Sequence, residues 1–130
     1  MERSAKSIYQ EVLDRANRAF FARDENELLS LYHVPFIEVS ANGLSLFTEV
    51  DAYVNHMRSS LEVLESKGTI SSDLTCIAAR FIDPMTLVGH HGIQYIDGHN
   101  VRTRGYEVKW TLVSNGSAGW QIAKSESATS

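Results

Sequence analysis

The sequence predicts an α+β fold: three N-terminal helices, interrupted by a short hairpin, packed on a curved antiparallel sheet that encloses a small pocket. Three observations predict it. Apolar residues recur at steps of three and four as far as Leu64. From Thr69 onward β-branched and aromatic residues take over. Three turn signals, Asp83-Pro84, Asp97-Gly98 and Asn115-Gly116, then cut the second half into strands.

The spacing predicts a first helix from about Ser7 to Arg23, with Ser7 and Gln10 as a capping box and Ile8, Val12, Ala16, Ala19 and Phe20 as its apolar stripe. Asp24 and Glu27 form a second cap pair before a short helix containing Leu28, Leu29, Leu31 and Tyr32. Pro35 disfavours helical geometry just before it, so that helix ends near His33. Phe36 to Val39 and Leu44 to Phe47 read as two short strands around Asn42-Gly43, residues that tolerate positive φ. Thr48 and Asp51 cap a third helix with Val50, Val54, Met57, Leu61 and Leu64 on one face, closed by Gly68.

Four strands follow, at 70–82, 86–96, 101–113 and 119–126, linked as an antiparallel meander. Strands this long must bend, and Gly89, Gly92 and Gly105 are the expected kink points. Tyr106, Val108, Trp110 and Leu112 alternate onto the helix-packed face, continued by Trp120 and Ile122. The polar end, Lys124 to Ser130, is expected to fray. All 130 residues read as one domain.

Composition narrows the function. With 43% hydrophobic and 22% charged residues the chain is ordinary for a globular protein. The net charge is −4, and Arg102 and Arg104 are flanked by Asp97 and Glu107, which argues against nucleic acid as a partner. No apolar run approaches the roughly 20 residues that span a bilayer. No signal-peptide pattern opens the chain, so a cytoplasmic protein is expected. Cys76, the single cysteine, reads as a small buried hydrophobe. No glycine-rich phosphate loop, dinucleotide fingerprint or calcium loop is present, so no cofactor is expected. No metal site is expected either: adjacent His90 and His91 face opposite ways, and no HExxH spacing occurs.

The element order resembles the nuclear transport factor 2-like superfamily and, within it, the SnoaL-like group. The resemblance is carried by "FFARDENELLSLYHVPFIEVSANG" (Phe20 to Gly43) and "GWQIAKSES" (Gly119 to Ser127). It implies a sheet curled into a cone around a helix, an apolar pocket at the open end, and a dimer face on the back of the sheet. Members include isomerases, dehydratases, cyclases and non-catalytic binders, so fold does not give function. The ketosteroid isomerase branch would place an aspartate base at Ser40 and an oxyanion-holding tyrosine at Ala16. Both departures count against that activity, since a serine hydroxyl is no proton base without an activator.

The candidate catalytic residues are His91, which titrates near neutral pH, and Glu38, which shares a strand face with Ser40. Each has a structural alternative, as a hydrogen-bonded histidine and an exposed strand glutamate. Tyr32, Tyr53, Tyr95, Arg104, Tyr106 and Trp110 are the candidate ligand-binding residues. Arg104 would meet a ligand carboxylate at the pocket mouth or pair with Glu38 or Asp97, and a bulge at Gly105 would turn it outward. Two functions follow. One is a pocket protein for a small, largely apolar molecule, with or without acid/base proton transfer. The other is a dimeric interaction module using an outer sheet face on which Ile77, Ala79, Phe81, Val88 and Thr111 cluster.

Overall fold

The computed structural model describes residues 3–103, 105–116 and 119–127. Helix α1 spans Ala5–Ala22. Its cap is Ser4, whose Oγ accepts the Ser7 N–H at 3.1 Å, so Ser7 is the residue capped and not the cap. Arg23 closes α1 in the left-handed region, donating its N–H to the Ala19 and Phe20 carbonyls. Helix α2 spans Glu25–Leu31, and its expected cap is present: Asp24 Oδ1 accepts the Glu27 N–H at 3.2 Å. Strand β1 follows at once, Tyr32–Ser40, four residues before its expected start. Its pairing with the last strand shifts register between Tyr32 and Ile37, the stretch that holds Pro35, which has no N–H to offer a ladder.

Strand β2, Gly43–Phe47, pairs back on β1 through a turn where Gly43 has φ 128°. Helix α3 spans Val50–Ser66. Thr48 does not cap it: the cap position falls on Glu49, which makes no side-chain capping bond. Lys67 and Gly68 end the helix by donating to the Leu64 and Glu65 carbonyls, Gly68 at φ 87°.

Strands β3 (Thr69–Asp83), β4 (Thr86–Asp97), β5 (Tyr106–Ser114) and β6 (Trp120–Ser127) form the expected meander. Two bounds moved. β5 starts five residues later than expected, because Asp97 Oδ1 accepts the His99 and Val101 N–H groups and holds a wider loop. β6 runs on to Ser127 instead of fraying from Lys124, because it lies between β1 and β5 and is bonded on both sides.

The sheet order is β2-β1-β6-β5-β4-β3, open, with β2 and β3 at its edges. β1 runs parallel to β6, which makes the sheet mixed. Adjacent strands joined by a hairpin must be antiparallel; β1 and β6 are joined through α3 and the meander and carry no such constraint. The bends of β3 lie at register shifts between Thr69 and Ser71, Cys76 and Ala78, and Phe81 and Asp83.

The middle shift corrects the expected outer patch. Beyond it Ala79 pairs with Gly89 and Phe81 with Leu87, whose neighbour across β5 is the core residue Leu112. Ala79 and Phe81 therefore turn to the helix side, where the Phe81 ring meets Trp120 at 5.9 Å. Val88 and Thr111, opposite each other on β4 and β5, keep the outer face.

The core lies between α1 and the inner face of the sheet. Ile8, Tyr9, Val12, Leu13, Ala16 and Ala19 recur at helical spacing and are buried. They meet Leu87, Val108, Leu112 and Ile122 from the sheet. Gly89 is required here: a Cβ on it would stand 2.6 Å from Tyr9 Cε2, so its role is close approach to the Tyr9 ring.

Candidate functional site

A cleft of about 140 Å³ opens on the inner side, between α1, α3 and the sheet. Ala16, Phe20, Met57, Leu74 and Ile93 give it an apolar lining; Tyr32, Tyr95 and Trp110 add aromatic walls. Three of the sequence-nominated ligand residues thus line one space although they come from three strands. Alternation puts Tyr95 on the inner face of β4 and Trp110 on that of β5. Tyr106 stands behind Tyr95, their hydroxyls 3.1 Å apart. Burial raises the Tyr95 hydroxyl above the ordinary tyrosine range, so it stays protonated and can both donate and accept.

Asn17 and Ser72, which the sequence reading passed over, supply the polar wall of the cleft. Ser72 Oγ donates to Asn17 Oδ1 at 2.6 Å, and Asn17 Nδ2 donates to the Ser72 carbonyl at 3.0 Å. One turn pair earlier, Gln10 Nε2 donates to the Leu74 carbonyl and Gln10 Oε1 accepts the Cys76 N–H at 2.8 Å. The two side chains, seven apart on α1, satisfy backbone groups along the edge strand β3 and tie the helix to it. The legible signal was that spacing of two amides on an otherwise apolar helix face.

His91 lies on the inner face but is not among the residues that line the cleft. It is fully buried between Cys76 and Val108, with its ring 4.7 Å from that of Trp110. Its Nδ1 is 2.7 Å from the Tyr9 hydroxyl, while Nε2 is enclosed with no hydrogen-bond partner among the described residues. Burial, with His90 adding like charge, pushes the His91 pKa down to about 4, so the ring is neutral at pH 7. Burial also raises the Tyr9 hydroxyl, opposed by the Trp110 backbone N–H.

Glu38 and Tyr53 form a separate polar group at the α3–β1 side. Burial raises the Tyr53 hydroxyl, and contact with Tyr32 and Glu38 raises it further. The Tyr32 hydroxyl hydrogen-bonds Tyr53, and its ring is 4.7 Å from that of Tyr53. His56 Nε2 stands 3.7 Å from Glu38 Oε1 at the surface. A chain of contacts thus leads from Tyr32, at the cleft, through Tyr53 to Glu38 and His56. Glu38 itself does not line the cleft. Arg104 lies outside the described residues.

A second space of about 290 Å³, which Tyr95 also lines, lies between the end of α3 and the β4–β5 loop. Arg23, just past the end of α1, and Glu65 of α3 form an ion pair that straps the two helices together. The outer sheet face carries an open depression that includes Arg80, Val88, His90, Lys109, Thr111 and Glu126. Among the described residues no set of three histidine, cysteine or acidic side chains is arranged to hold a metal, and no helix is long and apolar enough to cross a membrane.

No protein-family model and no curated protein matches the chain. Solved structures do. An NTF2-like protein with a cystatin-like fold from Novosphingobium aromaticivorans superposes with a TM-score of 0.76 at 16% identity, covering 96% of this chain and 81% of that one. An NTF-2 like protein of unknown function from Shewanella oneidensis gives 0.71 at 13%, covering 94% and 97%. A domain of unknown function with a cystatin-like fold from Nostoc punctiforme gives 0.77 at 11%, covering 100% and 80%. The chain therefore has the cystatin-like α+β fold of the nuclear transport factor 2-like proteins.

Proposed function

We propose that the 130 residues act as one SnoaL-like pocket unit that binds a small, largely apolar molecule in the inner cleft. The observation that carries this reading is the convergence of Tyr32, Tyr95 and Trp110 with Phe20, Leu74 and Ile93 around one opening. A mostly apolar lining with a few polar groups is the usual make-up of a ligand site. The volume suits a single ring: an apolar cavity of about 150 Å³ accepts benzene. Binding is better supported than turnover, because neither His91 nor Glu38 lines the cleft. In the catalytic version, an isomerase-, cyclase- or dehydratase-type proton transfer, Glu38 is the base and acts through Tyr53 and Tyr32, while neutral His91 stays structural.

The test is a thermal-shift and NMR titration with toluene and phenol. A ligand at a hundred times its dissociation constant adds about 2.7 kcal/mol of stability. Binding should raise the melting temperature by several degrees and move the Trp110 indole resonance. A flat response in the folded protein, with Trp110 unmoved, rejects the reading.

A second reading concerns assembly: we infer a homodimer through the outer sheet face. Leu44 and Leu46 on β2 are 67% and 58% exposed, an unusual state for large apolar side chains on a strand. Outward-facing Lys109 lies beside Glu126, and His90 beside Glu107, a mixed-charge pattern that a two-fold axis can make complementary to itself. Light scattering at micromolar concentration should give twice the chain mass, and Leu44→Lys with Leu46→Lys should halve it. A monomeric parent protein ends this reading.

A further inference from the structure

We propose that the ligand is an acid, an apolar body in the inner cleft joined by a short arm to a carboxylate held in the outer space at Lys67. This rests on the cleft being a ligand site and names the class of ligand it takes.

Tyr95 lines both spaces, so the two adjoin at this residue. The ring is half-buried, its centroid 6.3 Å from that of Tyr106 and its hydroxyl 3.1 Å from the Tyr106 hydroxyl. A ligand longer than one ring would therefore pass Tyr95 and continue into the outer space.

The two spaces differ in charge. Among the described residues the inner cleft has no charged side chain in its lining. The outer one has Lys67, Asp97 and Arg102. Two of these three are already engaged. Arg102 is ion-paired with Asp73. Asp97 Oδ1 accepts two loop N–H groups, and those bonds hold its carboxyl below the usual carboxylate range. Lys67 has no ion-pair partner among the described residues. An anionic head group leaving the cleft past Tyr95 thus meets Lys67, while the Asp97 carboxylate is directed at the N–H groups of its own loop. The apolar wall beside Lys67, Leu64, suits the methylene arm.

Lys67 is exposed, so water screens the attraction and the gain is small, roughly fivefold in affinity at low salt. The probes are toluene, 3-phenylpropionate and its uncharged isostere 3-phenylpropanamide, titrated by calorimetry or NMR against the full chain and the Lys67→Glu variant. Lys67 is a surface residue at the helix end, so this change leaves the core intact. The acid should bind about fivefold more tightly than the amide to the parent protein, and the preference should reverse in Lys67→Glu and shrink in high salt. Equal affinities for acid and amide overturn the proposal while toluene binding keeps the cleft reading. A preference for the acid that survives Lys67→Glu also overturns it, since the head group then sits elsewhere. Failure of all three probes to bind overturns both.

Discussion

Tyr9 and His91, 82 positions apart in the chain, meet in the core with the tyrosine hydroxyl 2.7 Å from the imidazole Nδ1. The contact exists because Gly89, two residues before His91 on the same inner face, leaves room for the Tyr9 ring to lie against the sheet. Both polar groups are withdrawn from water, and each is kept neutral by burial.

Gly89→Ala is therefore expected to be destabilising. The new Cβ would also stand 2.9 Å from the Ala78 carbonyl, so ring and backbone both block it. Overpacking of this kind costs about 1–3 kcal/mol. Gly92→Ala is the control: nothing lies within 4 Å of its Cβ position, and the urea midpoint should move much less.

Stability should fall in mild acid because of His91. Its folded pKa, about 4, is below the ordinary 6.5, so the unfolded chain takes up the proton first. The contribution is complete above pH 6.5 and is lost as the pH falls towards 4. At about 1.4 kcal/mol per unit the loss is on the order of 3 kcal/mol. Urea melts between pH 7 and 4.5 should show this slope, and His91→Leu should flatten it. Independently, the His91 Cε1–H resonance should show no protonation step at pH 5.5.

Tyr9→Phe removes the hydroxyl and leaves His91 with no hydrogen-bond partner at either nitrogen among the described residues. An unsatisfied buried group costs about 1–3 kcal/mol. Denaturation at pH 7 should show a loss in that range; no loss would mean that water or another group takes over at Nδ1.

Gln10→Ala frees the Leu74 carbonyl and the Cys76 N–H on the edge of β3. The Cys76 amide should exchange with solvent much faster than in the parent protein, while amides in β6, bonded on both sides, should change far less. Equal acceleration in both strands would mean global destabilisation and not a local clamp.

Ala16→Leu extends a side chain into the cleft, where Ala16 is part of the wall. Ligand-induced stabilisation by toluene should disappear while the unliganded protein remains folded, read by circular dichroism and thermal shift together.

Much of the fold was legible because it rests on local periodicity. The stripe Ile8, Val12, Ala16, Ala19 is the stripe that is buried, and Tyr106, Val108, Trp110 and Leu112 share the face that alternation gave them. Asp24 with Glu27 and the Asn42-Gly43 turn were equally readable, since caps and turns are short-range chemistry. Legibility ended where a distant partner decides. Nothing near β6 says that it lies between β1 and β5 or runs parallel to one of them. Nothing near Ile77 announces the register shift that turned Ala79 and Phe81 inward.

The same division holds at the site. The sequence by itself put Tyr95 and Trp110 on strand faces by alternation and offered Tyr32 as a pocket hydroxyl, though on the end of a helix and not on the strand that places it at the cleft. Only the tertiary structure decided that His91 is closed off against Tyr9, that Glu38 reaches the cleft no nearer than Tyr53 and Tyr32, and that Asn17 and Ser72 form its polar wall. Periodicity fixes the direction of a side chain from its own backbone. Whether that direction ends in a cavity or in packed atoms depends on chain segments dozens of residues away, and that is settled only when they close on one another.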